Sequence, residues 1–77
     1  MKLYGEFQKN QNEVIRGTRR EFNGREFLDL RVFFKDAQGE FRPTRKGLAF
    51  DEELLDDLIE LLQKMKGDSE IYDVEVE

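Results

Sequence analysis

The sequence predicts an α+β fold, a four-stranded antiparallel β-meander followed by one C-terminal α-helix. Three observations predict it: Asn23-Gly24 between strand-like runs, a second polar turn at Asp36, Ala37, Gln38 and Gly39, and helical apolar spacing over residues 52–66.

Asn23-Gly24 suits a two-residue type I′ turn, in which both central positions need positive φ. That turn sets Phe22 against Arg25, and counting outward pairs Arg20 with Phe27, Thr18 with Asp29, Arg16 with Arg31 and Ile15 with Val32. The period of two along a strand then divides the hairpin into faces. One face carries Arg16, Thr18, Arg20, Phe22, Arg25, Phe27, Asp29, Arg31 and Phe33. The other carries Ile15, Gly17, Leu28, Leu30, Val32 and Phe34, with Arg19 a misfit among apolar neighbours. The second turn, with Gly39 available for a left-handed position, begins another hairpin. Its returning strand is expected to be brief, Phe41 and Arg42, ended by Pro43, with residues 47–50 forming a short fourth strand. Leu3, Gly5 and Phe7 give a weaker strand signal, so residues 1–13 read as an N-terminal extension or short strand.

Asp51 is expected to cap the helix, Glu52 and Glu53 suit its positive end, and Lys64, Lys66 and Gly67 suit its close. Its apolar residues spread over an arc of roughly 160°, wider than a one-sided stripe. One small sheet covers part of that arc. Leu54, Leu58, Leu61, Leu62 and Met65 are therefore expected to pack on the same helix of a second subunit. Residues 14–66 form the expected domain and residues 67–77 an acidic tail. In that tail Tyr72, Val74 and Val76 alternate with Asp73, Glu75 and Glu77, as in a strand or a disordered end.

Composition leads to the same dimer. A 77-residue core rarely supplies more than about 3–5 kcal/mol by itself, and without cysteine or histidine neither a disulfide nor a zinc site with those ligands can help. No run approaches the roughly 20 apolar residues of a membrane span, and no signal-like stretch follows Met1, so an intracellular protein without membrane contact is expected. Catalysis is not expected: there is one serine, Ser69, in a polar segment, and no glycine-rich phosphate loop. No cofactor or metal is expected either, because Asp56, Asp57 and Glu60 lie opposite the apolar arc, as a solvated face does.

The net charge of -5 conceals an asymmetry. Residues 14–47 hold nine basic and five acidic side chains; residues 48–77 hold two and eleven. With a Debye length of about 8 Å at physiological salt, the basic front can bind a polyanion despite the acidic back. Arginines interleaved with phenylalanines on the first hairpin face suit a single-stranded nucleic acid, cations for phosphates and rings for unstacked bases. Arg16 directly opposite Arg31 places like charges across the ladder, which disfavours the sheet unless an anion lies between them. Arg42, Arg45 and Lys46 add three cations around Pro43 and Thr44.

Residues 20–50 resemble, without a gap, the positive cofactor four family of single-stranded-DNA-binding transcriptional coactivators and its bacterial and phage relatives. The segments that carry the resemblance are Glu21-Phe22-Asn23-Gly24-Arg25, Leu28-Asp29-Leu30-Arg31, Gly39-Glu40 and Pro43-Thr44-Arg45-Lys46-Gly47-Leu48. The resemblance implies a strongly curved sheet, a dimer joined through helices and sheets, and two channels for single strands or melted duplex. By position it implies DNA contacts at Arg20, Phe22, Arg25, Arg31, Phe34, Arg42, Arg45 and Lys46; the hairpin face adds Arg16 and Phe27. Asn23 stands where human-type members have lysine, and Phe34 replaces a tryptophan. The serine- and lysine-rich region of eukaryotic members has no counterpart, so a compact prokaryotic or viral protein is expected, cytoplasmic and nucleoid-associated, or nuclear if eukaryotic. The alternatives are a docking module for transcription or replication proteins, using the acidic helix and tail, and an RNA-binding protein.

Overall fold

The computed structural model describes residues 1–68; the reading of residues 69–77 as a strand or acidic end lies outside the described residues. Strands β1 (Lys2–Gln8), β2 (Glu13–Phe22), β3 (Arg25–Lys35) and β4 (Phe41–Phe50) form one sheet in that order, every neighbouring pair antiparallel. A single 3₁₀ turn (Glu52–Leu54) leads into α1 (Leu55–Gly67).

The β2–β3 hairpin has the register that its turn dictates, unbroken from Phe22 with Arg25 to Glu13 with Phe34. Asn23 and Gly24 take φ of 54° and 77°, as a type I′ turn requires. The next turn closes with Gly39 N–H donating to Asp36 O at 3.0 Å and Gly39 at φ 81°. The Asp36 carboxylate steadies it by accepting from the N–H groups of Gln38 and Glu40, each at 2.9 Å.

The expected brief returning strand and separate short fourth strand are corrected. The fourth strand is not a short piece after Pro43, because residues 41–50 form one continuous strand. β4 lies at the sheet edge, where a missing N–H is tolerated. Thr44, Arg45 and Lys46 together oppose Val32, so the register shifts between Arg31 and Phe33 and pairing resumes beyond. The remaining strand is β1, in which Tyr4 is the extra residue of a bulge. Irregularities in both outer ladders are the features that curl a sheet.

Close packing explains the residue after the β4 bulge. A Cβ on Gly47 would lie 2.5 Å from Leu30 O and 2.9 Å from Arg31 Cζ. Gly47→Ala is therefore expected to destabilise the fold by about 1–3 kcal/mol, read by urea or thermal unfolding, because β3 backbone must move to admit the methyl.

The helix start and end also differ from expectation. Asp51 is extended (φ -71°, ψ 145°) and its side chain makes no capping hydrogen bond, because Arg25 holds the carboxylate at 2.6 and 2.8 Å. Asp68, not Gly67, takes the left-handed position at the helix end (φ 55°) and donates to Lys64 O and Met65 O.

Among the described residues, burial is confined to the sheet. Leu28 and Val32 are buried on the face toward α1, and Val14, Thr18 and Asp29 on the other. No residue of α1 is buried: Leu61, Leu62 and Met65 are 55%, 48% and 68% exposed. An apolar groove of about 410 Å³ separates the helix from the sheet, lined by Leu28, Leu30 and Phe50 on one side and by Leu55, Leu58 and Leu62 on the other.

Candidate nucleic-acid interface

The ladders define rows across the face away from the helix. Gln8, Val14, Phe33 and Pro43 form one; Glu6, Arg16, Arg31 and Gly47 the next; Leu3, Thr18, Asp29 and Ala49 the third. Arg20 with Phe27 and Phe22 with Arg25 continue toward the hairpin tip. Thus Arg16, Arg20, Phe22, Arg25, Phe27 and Arg31 share one face, as hairpin parity requires.

Arg16 and Arg31 stand directly opposed, yet neither lacks a carboxylate. The Arg31 guanidinium donates from Nε and Nη2 to the two Asp29 oxygens, each at 2.9 Å, and from Nη1 to Thr44 O at 3.0 Å. Asp29 is 3% exposed, and its hydrogen bonds raise the Arg31 pKa above the usual arginine value. Arg16 donates from Nε to Glu6 Oε1 at 2.7 Å and lies over the rings of Phe33 and Phe41, 4.7 and 5.1 Å from their centroids. The expected repulsion is therefore corrected: β1 supplies one anion and β3 the other.

The remaining cations differ in what they have available. Arg20 lies 3.5 Å from Asp29 and is about half exposed; Arg25 is mostly exposed while holding Asp51. Phe22 is 69% exposed, and Phe27 lines a shallow depression with Leu48 and Phe50. Arg45 and Lys46 project from the β4 bulge and make no ion pair among the described residues. The bulge is pinned by Thr44, whose Oγ1 donates to Val32 O at 2.8 Å and accepts from Lys46 N–H at 3.1 Å.

Phe34 and Arg42 are paired with each other on the helix side, so they do not join this face. The β2–β3 ladder runs without a shift through Phe34, so no bulge turns its side chain toward the arginine face. Arg42 is bound to Asp36 at 2.9 Å, which, with the Glu40 and Gln38 N–H groups, holds the Asp36 carboxyl below the usual aspartate range.

Arg19, the misfit, proves to be a tie. It donates from Nε to Tyr4 Oη at 2.7 Å and from Nη2 to Glu52 Oε1 at 2.6 Å, linking β1, β2 and the helix start. Its pKa is raised by Glu52 and then Tyr4, and Glu52 is held below the usual glutamate range by Arg19. Sequence reasoning also passed over Glu6, Phe33 and Phe41 as neighbours of Arg16; the signal available was the parity that places Phe33 on the arginine face.

Four antiparallel strands followed by one helix match the fold of solved PC4 homologues. Residues 9–61 match the family model described as Transcriptional Coactivator p15 (PC4), and the chain belongs to that family. A PC4 homologue from Burkholderia pseudomallei is 34% identical, with a TM-score of 0.80 over 84% of this chain; the match covers 88% of that protein's chain in one crystal form and 96% in another. A bacteriophage T5 homologue of PC4, implicated in recombination-dependent DNA replication, shares the fold at a TM-score of 0.68 and 24% identity, over 87% of this chain and 81% of its own. No curated protein matches the chain. Among the described residues, no helix is long and apolar enough to cross a membrane.

Proposed function

We propose that this chain binds single-stranded DNA across the arginine–phenylalanine face, as a dimer joined through the open side of α1, and that it acts in transcription or replication within the cytoplasm of a prokaryotic host. The observation that carries the reading is the placement of Arg16, Arg20, Arg25, Phe22 and Phe27 on one sheet face of a PC4-family fold. The exposed Phe22 ring and the half-buried Phe27 ring suit unstacked bases, each stacked base worth about 1–3 kcal/mol by alanine substitution. Arg45 and Lys46, free of ion pairs among the described residues, extend the cationic surface at β4.

Fluorescence anisotropy with single-stranded DNA, RNA and duplex of equal length, at two salt concentrations, tests it. Single-stranded DNA is expected to bind most tightly, with log K falling against log salt by about 0.7 per phosphate contacted and a total slope near -3 to -4 for four to six cations. Tighter RNA or duplex binding at both salts would reassign the ligand. No binding to any oligonucleotide would return the chain to a protein-docking role.

A further inference from the structure

The opposed arginines at the centre of the face are chemically unequal, although the ladder places them as equals. Every nitrogen of the Arg31 guanidinium is engaged, two on Asp29 and one on Thr44 O. Arg16 engages Nε alone, on Glu6; Nη1 and Nη2 have no hydrogen bond or ion pair among the described residues.

Three side chains from three other strands fix how that free edge is held. Glu6 of β1 anchors Nε, while Phe33 of β3 and Phe41 of β4 lie against the guanidinium, 4.7 and 5.1 Å from ring centroid to Cζ. The Arg16 side chain is 25% exposed, so it is held among these neighbours and still reaches solvent. A planar cation fixed this way has already lost most of its rotamer freedom. Its Nη1 and Nη2 N–H groups form the fork that takes two oxygens of a phosphate. Fixing the fork beforehand removes an ordering cost from binding.

From this geometry we propose that Arg16 is the preorganised receptor for a backbone phosphodiester on this face, with Glu6, Phe33 and Phe41 as its positioning residues. The inference rests on the nucleic-acid reading above and deepens it: it selects one arginine of the central pair as the phosphate ligand and leaves the other to the fold. Phe41 enters the site through β4, which a brief strand ending at Pro43 did not suggest.

The test is anisotropy of the full chain with fluorescein-labelled oligo(dT) at two salt concentrations, with thermal unfolding of each variant. Arg16→Gln is expected to weaken binding about tenfold, as loss of a charged hydrogen bond does, and to make the salt slope shallower by about 0.7. Arg16→Lys keeps the charge and loses the fork, so its slope should match the wild type while its affinity stays several-fold lower. Phe41→Leu should lower affinity about two- to fivefold at unchanged slope, the scale of a lost cation–π contact. A merely structural Arg16 would shift the melting temperature and leave the slope alone. Wild-type binding combined with an unchanged slope and affinity in Arg16→Gln overturns the assignment and leaves the nucleic-acid reading standing, as does Arg16→Lys binding as tightly as wild type. A wild-type chain that binds no oligonucleotide overturns both.

Discussion

Arg31→Gln is expected to destabilise the folded protein by about 3 kcal/mol, on the order of 12–24 °C in melting temperature for a domain of this size. Asp29 is 3% exposed, and Arg31 gives it a two-point hydrogen bond. Glutamine leaves that buried carboxylate without its two-point partner. Arg20, at 3.5 Å and about half exposed, keeps only a longer, solvent-screened contact and compensates in part. The same substitution removes the donor to Thr44 O, one of the contacts that hold the β4 bulge against β3. Asp29→Asn should cost less, because Arg31 keeps the Thr44 carbonyl and is itself part-exposed. Opposed like charges alone would predict the reverse, a slight gain on neutralising Arg31. Thermal unfolding therefore separates the accounts, and an Arg31→Gln variant that melts with the wild type would mean that Arg20 and solvent, not Arg31, compensate Asp29.

Leu61→Asp combined with Met65→Asp is expected to convert a dimer into a monomer at micromolar concentration. Within one protomer these side chains are 55% and 68% exposed, and substitutions at such sites ordinarily change stability by no more than about 0.5 kcal/mol. Against a second subunit the same changes would bury two carboxylates in an apolar contact, a penalty of several kcal/mol per group unless each becomes protonated. Sedimentation should show the shift in mass, and the wild-type melting temperature should rise with protein concentration while that of the variant stays low and flat. A wild type that sediments as a monomer, or a variant that stays dimeric, would remove the helix from the interface. The Leu28, Leu30 and Phe50 wall of the groove would then need another cover.

The central hairpin was legible because local chemistry dictates it. Asn23 and Gly24 reach positive φ at low cost, and once the turn type is set every pair from Phe22 with Arg25 to Glu13 with Phe34 follows by counting. Strand parity then put the arginines and phenylalanines on one face. Helical periodicity located α1 and showed an apolar arc too wide for the sheet, and the exposed Leu61, Leu62 and Met65 agree with it. Each of these features depends on residues close together in the chain or on a strict repeat.

Tertiary structure decided which charges meet. Arg19 finds Glu52 across 33 positions, Arg25 finds Asp51 across 26, and Arg16 finds Glu6 through a β1 strand only weakly marked in the sequence. Asp51 was a sound capping residue by type, but a guanidinium arriving from the hairpin tip took its carboxylate. Pro43 was a sound strand terminator by type, but β4 lies at the edge, where its missing N–H is tolerated, and the following bulge restored the pairing. The physical reason is common to these cases. Turn type and strand parity follow from backbone sterics within a few residues. The partner of a long charged side chain depends on which strands lie side by side and where their bulges fall, and those are set only when distant segments pack together.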